Sequence, residues 1–158
     1  MCVIVDANLT ATFFNNPFAG DYAPVVRWIT ERDGRLVYGG KLKAELEKSY
    51  AAQRLLLAWW RAGRAHLVED APLASEEAVV ASLGHCQSND VHVIALARQS
   101  GARVLCTDDQ PLMRDLRDQR LIARPRGKIH RERTHAHLLA HAASCGVKPL
   151  SPRRRGKS

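Results

Sequence analysis

The sequence predicts an α/β fold, a three-layer α/β/α sandwich around a central, mostly parallel sheet. Short apolar, β-branched runs at CVIVD (2–6), RLVYGG (35–40) and ARVLC (102–106) have the character of strands buried on both faces. Between them lie stretches whose apolar residues recur at helical spacing. Strand and helix therefore alternate, which is the pattern of parallel strands joined by crossover helices. No internal repeat competes with this reading.

CVIVD closes on Asp6, so the first strand ends in an acid. Helical patterning follows from Leu9 to about Asn15 and from Asp21 to Thr30, where Val25, Val26, Trp28 and Ile29 make an apolar side. RLVYGG is the second strand, ended by two glycines. Residues 41–63 read as one long amphipathic helix with Leu42, Leu46, Tyr50, Gln53, Leu57 and Trp60 on its stripe, and Glu45 beside Leu42 near its start. HLVE (66–69) is a short strand, and SEEAVVASLG (75–84) a helix with Ser75 as its cap and Gly84 as its terminator. SNDVHVIALARQSG (88–101) is a helix opened by Ser88 or Asn89 and closed by Gly101, with Asp90, Val93, Ile94 and Ala97 on its buried face. After strand 102–106 come a short helix near Pro111 to Arg117 and a last strand at LIARP (121–125).

A chain of 158 residues is long enough to bury a sizeable core in one domain, placed at residues 1–148. Residues 149–158, with Arg153, Arg154, Arg155 and Lys157, read as a disordered basic tail. The formal net charge of +8 favours polyanionic partners, nucleic acid first among them. Cys2, Cys86, Cys106 and Cys145 show no paired spacing and read as reduced, buried thiols of a cytoplasmic protein. The N-terminal run lacks the basic stretch of a signal peptide, and no apolar run reaches the length of a bilayer span, so no membrane association is expected.

The acids carry the chemistry. In a parallel α/β sheet, whatever follows a strand starts at the C-terminal edge, where such folds bind ligands. Asp6 and the doublet Asp108-Asp109 lie at or just past strand ends, and Glu45 begins the helix after the second strand. Asp90 opens the helix that returns to the start of strand 102–106, so it too belongs at that edge. An acid after a strand is ordinarily a helix cap, but Glu45 and Asp90 sit on apolar helix faces, where a bare carboxylate is costly. Hard divalent cations with oxygen ligands neutralise such a cluster, and pairs of them hydrolyse phosphodiesters.

These segments resemble the PIN-domain nucleases over about residues 1–128. The matching pieces are VIVDAN at the start, AELE with Glu45, SNDVHVIALA with Asp90, and Thr107-Asp108-Asp109 followed by Leu112. The resemblance implies a Mg²⁺- or Mn²⁺-dependent endoribonuclease, with Asp6, Glu45, Asp90 and Asp109 as catalytic metal ligands and Thr107 as a supporting hydroxyl. RNA as substrate comes from the family alone. Many members are toxins of toxin–antitoxin pairs, so an antitoxin protein and a homodimeric partner are further implications. Strand alternation points Asp108 and Asp109 in different directions, and the T-x-D pattern favours Asp109 as the ligand, with Asp108 tuning the site.

Asn8 and Asn89 are candidates for water or phosphate contacts, or are helix-start residues. Arg124, Arg126 and Lys128, expected near the active edge, would grip substrate phosphates or form a solvated basic turn; the tail arginines would add sequence-blind affinity. Of Trp59 and Trp60, Trp60 is placed in the core, and His92 packs or assists proton transfer. His137, His141 and Cys145 share a helix side but lack a fourth ligand, so a terminal helix is expected there and no zinc is assigned. The alternative function is a non-catalytic RNA- or partner-binding α/β module whose acids only cap helices. A phosphotransfer domain of the haloacid dehalogenase type would want a second Asp where Asn8 stands, and no Gly-rich phosphate loop is present.

Overall fold

The strand Cys2–Val5 (β1) is almost wholly shielded from solvent, none of its residues exceeding 1% exposure, because it runs through the middle of a sheet covered on both faces. The computed structural model describes residues 2–132, 135–137 and 139. A 3₁₀ turn (Ala7–Leu9), α1 (Thr10–Phe14) and α2 (Ala23–Glu31) lead to β2 (Arg35–Tyr38). Then come α3 (Gly40–Leu46), α4 (Tyr50–Arg61), β3 (Ala65–Leu67), α5 (Asp70–Leu83) and α6 (Val91–Ser100). The chain continues through β4 (Val104–Cys106), α7 (Gln110–Arg117) and β5 (Lys128–His130).

The five strands lie in the order β3-β2-β1-β4-β5, every neighbouring pair parallel. β1 is in register with β2 at Val3–Leu36 and with β4 at Val5–Cys106. This is the expected α/β architecture, with helices on both sides of the sheet. Right-handed crossovers put α1, α2 and α4 on one face and α5, α6 and α7 on the other. Contacts between α1 and α4 on one side, and among α3, α5 and α6 on the other, agree. α6 is the most enclosed helix: His92 through Ala97 are all buried, so it reads as hydrophobic all round and not as a one-sided stripe.

Several elements differ from the sequence reading. The helix expected over 41–63 is two helices. The chain breaks at Glu47–Ser49, and the Ser49 hydroxyl accepts from the Ala52 amide at 3.2 Å to cap α4. The break re-phases the apolar stripe: Ala52, Leu56 and Trp59 are buried, whereas Tyr50 and Leu57 are exposed. Of the adjacent pair it is Trp59 that is fully buried, packed against Phe13 and Phe14 with its N–H donated to Thr30 Oγ1 at 3.2 Å, while Trp60 is half-buried against the edge of the core.

α5 begins five residues earlier than expected, because Pro72 falls in its first turn, where a missing N–H costs nothing. Gly84 ends it in the left-handed conformation, as expected. The last strand is Lys128–His130 and not 121–125; Leu121 and Ile122 are buried, but their amides are used by the Asp118 carbonyl in a turn. Cys2 is disulfide-bonded, which corrects the reading of all four cysteines as thiols, while Cys86 and Cys106 are free. No helix among the described residues is long and apolar enough to cross a membrane. His141, Cys145, the domain boundary near 148 and the tail with Arg153, Arg154 and Arg155 lie outside the described residues.

Candidate active site

From β1 the chain winds outward to β2 and β3, then returns to place β4 and β5 on the other side of β1. The crevice beyond the C-terminal ends of β1 and β4 is therefore the topological switch point, the usual ligand position in open α/β sheets. Asp6 and Thr107, the residues immediately after these two strands, fill it. The Asp6 amide donates to the Cys106 carbonyl at 2.9 Å, extending the pairing by one rung. Thr107 Oγ1 donates to Asp6 Oδ2 at 2.7 Å, and both side chains are buried. The same threonine oxygen accepts from the Asp109 amide at 3.0 Å.

Two acids also serve as caps. Asp6 Oδ1 accepts from the Asn8 amide at 3.4 Å, at the start of the 3₁₀ turn. Asp109 Oδ1 accepts from the Leu112 amide at 3.0 Å and caps α7. Each such bond engages one of two carboxylate oxygens. Asp90 differs: it occupies the cap position of α6 without making a side-chain cap bond.

Glu45 comes from α3, whose start depends on the glycine pair after β2. Gly40 has φ +53°, and a Cβ on it would stand 2.9 Å from Leu73 Cδ2; one on Gly39 would stand 2.8 Å from the Val68 carbonyl oxygen. Only a chain without side chains here can turn from β2 into α3 against α5. The helix then carries Glu45 Oε1 to 3.1 Å from His92 Nε2 on α6, without hydrogen-bond geometry, so that this buried oxygen has no hydrogen-bond partner.

The electrostatics tie the acids together. Burial raises the Asp6 carboxyl above its ordinary range, hydrogen bonds from Thr107 and Asn8 oppose this, and the charges of Asp90 and Asp109 raise it further. Burial also raises Asp90; His92 and Lys41 pull it down, while Asp109 and Glu45 push it up. Asp6, Glu45, Asp90 and Asp109 thus share one field. They do not form a ready cage: among the described residues no group of three or more His, Cys, Asp or Glu side chains is assembled to hold a metal ion. Repulsion between like charges opposes closer approach.

Asp115 is the residue bracing this site that the sequence reading missed. It is buried on α7 and accepts from the Gln87 amide at 2.8 Å, the Ser88 amide at 3.0 Å and the Ser88 hydroxyl at 2.7 Å. Ser88 Oγ in turn accepts from the Asp90 amide at 3.3 Å, so Asp115 braces the turn that delivers Asp90. The available signal was an acid on the apolar side of α7, sharing it with Leu112 and Leu116. Lys41, beside Asp90, was also passed over.

The remaining candidates are dispersed. Asn8 and Asn89 are exposed. Asp108 is exposed while Asp109 is half-buried; β4 ends at Cys106, so the difference comes from Asp109 turning in to cap α7 and not from continued strand alternation. With burial as the larger cause, the charges of Asp108 and Asp21 help to raise the Tyr22 hydroxyl to about 12. Arg124 and Arg126 are exposed in the loop before β5, and Lys128 is the first residue of that strand, opposite Val104. They lie toward the N-terminal edge of the sheet, which corrects their expected place near the active edge; the misplaced last strand is the reason.

Comparison with protein-family models, with curated proteins and with solved structures yields no match.

Proposed function

We propose that this protein is a nuclease of the PIN-domain type that hydrolyses RNA phosphodiester bonds with Mg²⁺ or Mn²⁺. The observation that carries the reading is the coupling of Asp6, Glu45, Asp90 and Asp109 around the crevice between β1 and β4, with a buried Glu45 oxygen that stands beside His92 but has no hydrogen-bond partner. An acid set of this kind in a chain of net charge +8 is a hard-oxygen donor set that suits a divalent cation. Asp6, Glu45, Asp90 and Asp109 would hold it, and once bound it supplies neutralising charge to the acids and to a phosphodiester alike.

The chain's own residues have separate tasks in this reading. Thr107 fixes the orientation of Asp6 through its hydroxyl. Asp115 and Ser88 hold the turn before Asp90. His92, buried against Glu45, keeps that carboxylate pointing toward α6. RNA as substrate, an antitoxin protein, a homodimeric partner and a cytoplasmic location rest on the family resemblance and composition.

A second reading has its own support. Asp6 and Asp109 both make helix-cap bonds, and the acids form no ready cage among the described residues, as in a non-catalytic RNA- or partner-binding module. Incubating the full chain with mixed RNA substrates, with and without Mn²⁺, beside Asp6→Asn separates the two. Cleavage that requires Mn²⁺ and is lost in the variant is the expected result; full activity in excess chelator overturns the metal-dependent reading, and RNA binding with no cleavage at all favours the binding module.

A further inference from the structure

Beside the acids, between α7 and β5, lies a groove of about 390 Å³ whose rim is basic. Gln110, the residue after Asp109, stands at one end with Arg131, His135 and His137; Arg117 and Lys128 stand toward the other. A Cβ on Gly127 would lie 2.5 Å from the Leu116 carbonyl oxygen, so the approach to β5 is pressed against the last turn of α7 and defines the narrow wall of the groove. Among the described residues no aspartate or glutamate lines it. That separates it from the hollow over α2, where Glu31 and Asp33 accompany Arg27 and Arg32. Arg124 and Arg126 border another hollow free of acids, but it belongs to the exposed loop away from Asp109.

Among the described residues Arg98 and Arg120 are the arginines held in ion pairs, with Glu76 and Asp118; Arg117 and Arg131 line this groove without one and are exposed. Guanidinium groups held without a carboxylate are suited to bidentate recognition of phosphate. From Gln110 to Arg117 the helix spans about 10 Å, so the groove leads from the acid crevice toward the opposite edge of the sheet. Its volume falls within the range of small-ligand pockets, the scale of a short stretch of one extended backbone.

We propose that this groove binds the phosphodiester backbone of single-stranded nucleic acid, with Arg117 and Arg131 as its phosphate contacts. The proposal deepens the nuclease reading, because the strand would run from the groove to the acids, yet the groove's chemistry stands apart from cleavage.

The test is the salt dependence of binding of a labelled single-stranded RNA to the full chain without divalent ions. Arg117→Gln/Arg131→Gln is compared with Arg54→Gln/Arg61→Gln, which removes the same charge from exposed positions of α4, beside β3. The slope of log affinity against log salt should become shallower by about 0.7 per lost contact in the groove variant and stay at the wild-type value in the α4 variant. Equal slopes in the two variants, or displacement of the RNA by an acidic peptide as readily as by unlabelled RNA, would overturn the groove. RNA binding that is absent from the wild type overturns both the groove and the nuclease reading. A groove-specific loss of slope in a protein that cleaves nothing with Mn²⁺ keeps the groove and sinks the nuclease.

Discussion

Thr107 Oγ1 and Asp6 Oδ2, 101 positions apart in the chain, meet at 2.7 Å where β1 and β4 end side by side. This bond joins the two halves of the sheet at the switch point and sets which way the most buried of the four coupled acids faces. Thr107→Val keeps the shape and removes the hydroxyl. Unfolding should become easier by about 1.5–3 kcal/mol, because a buried carboxylate loses its donor. Any Mn²⁺-dependent cleavage should fall by about 10–100-fold. Thr107→Ser should restore both, and a valine variant with wild-type melting and rate would show that the bond orients nothing.

The aspartate doublet separates by environment. Asn caps helices as well as Asp does, so Asp109→Asn should leave α7 intact and isolate the loss of charge. The variant should require more Mn²⁺ for half-maximal single-turnover cleavage and reach a lower rate. Asp108→Asn, at an exposed position beside the Tyr22 environment, should change either value only mildly. The reverse ranking would transfer the acid's role to Asp108.

Asp115→Asn keeps the volume but cannot accept from three donors with the same strength. A cost of roughly 2–3 kcal/mol in urea unfolding is expected, since bonds to a charged acceptor are among the stronger ones. At a temperature where the variant remains folded, its half-maximal Mn²⁺ concentration should rise, because the turn holding Asp90 is loosened. A destabilised variant with unchanged metal dependence would make Asp115 a purely structural anchor.

His66, in the middle of β3, is buried, and burial first, then the charge of Arg35, push its imidazole below the ordinary 6.5. The backbone of Gly63 opposes the shift, without completing a hydrogen bond to the ring. The unfolded chain thus takes up a proton that the folded chain resists. Stability from the neutral ring is present above the unfolded value and is lost as pH falls below it. The melting temperature should drop between about pH 7.5 and about pH 5.5, and the drop should be smaller in His66→Leu. Equal drops in both proteins would place the sensitivity elsewhere, for example at His130, whose imidazole burial also lowers.

The sequence by itself determined the class of fold and the edge at which the acids gather. CVIVD and ARVLC could only be interior strands, and in a parallel sheet a residue directly after a strand has one edge available to it, so Asp6 and Asp109 were placed by local chemistry and direction alone. Glu45 and Asp90 followed from the same logic of crossover helices. The tertiary structure decided what local pattern leaves open. Ser49 could continue a helix or cap a new one, and the packing of Trp59 against Phe13 and Phe14 selected the break. Leu121 and Ile122 were apolar enough for a strand, but their amides were taken by a turn, which moved the last strand to Lys128–His130 and carried Arg124 and Arg126 away from the acids. Asp115 reaches Ser88 across 27 positions, and the brace exists only once α7 lies against the start of α6. Patterning specifies which face of an element is apolar; which polar groups meet depends on distances between elements, and those are set only when the layers pack.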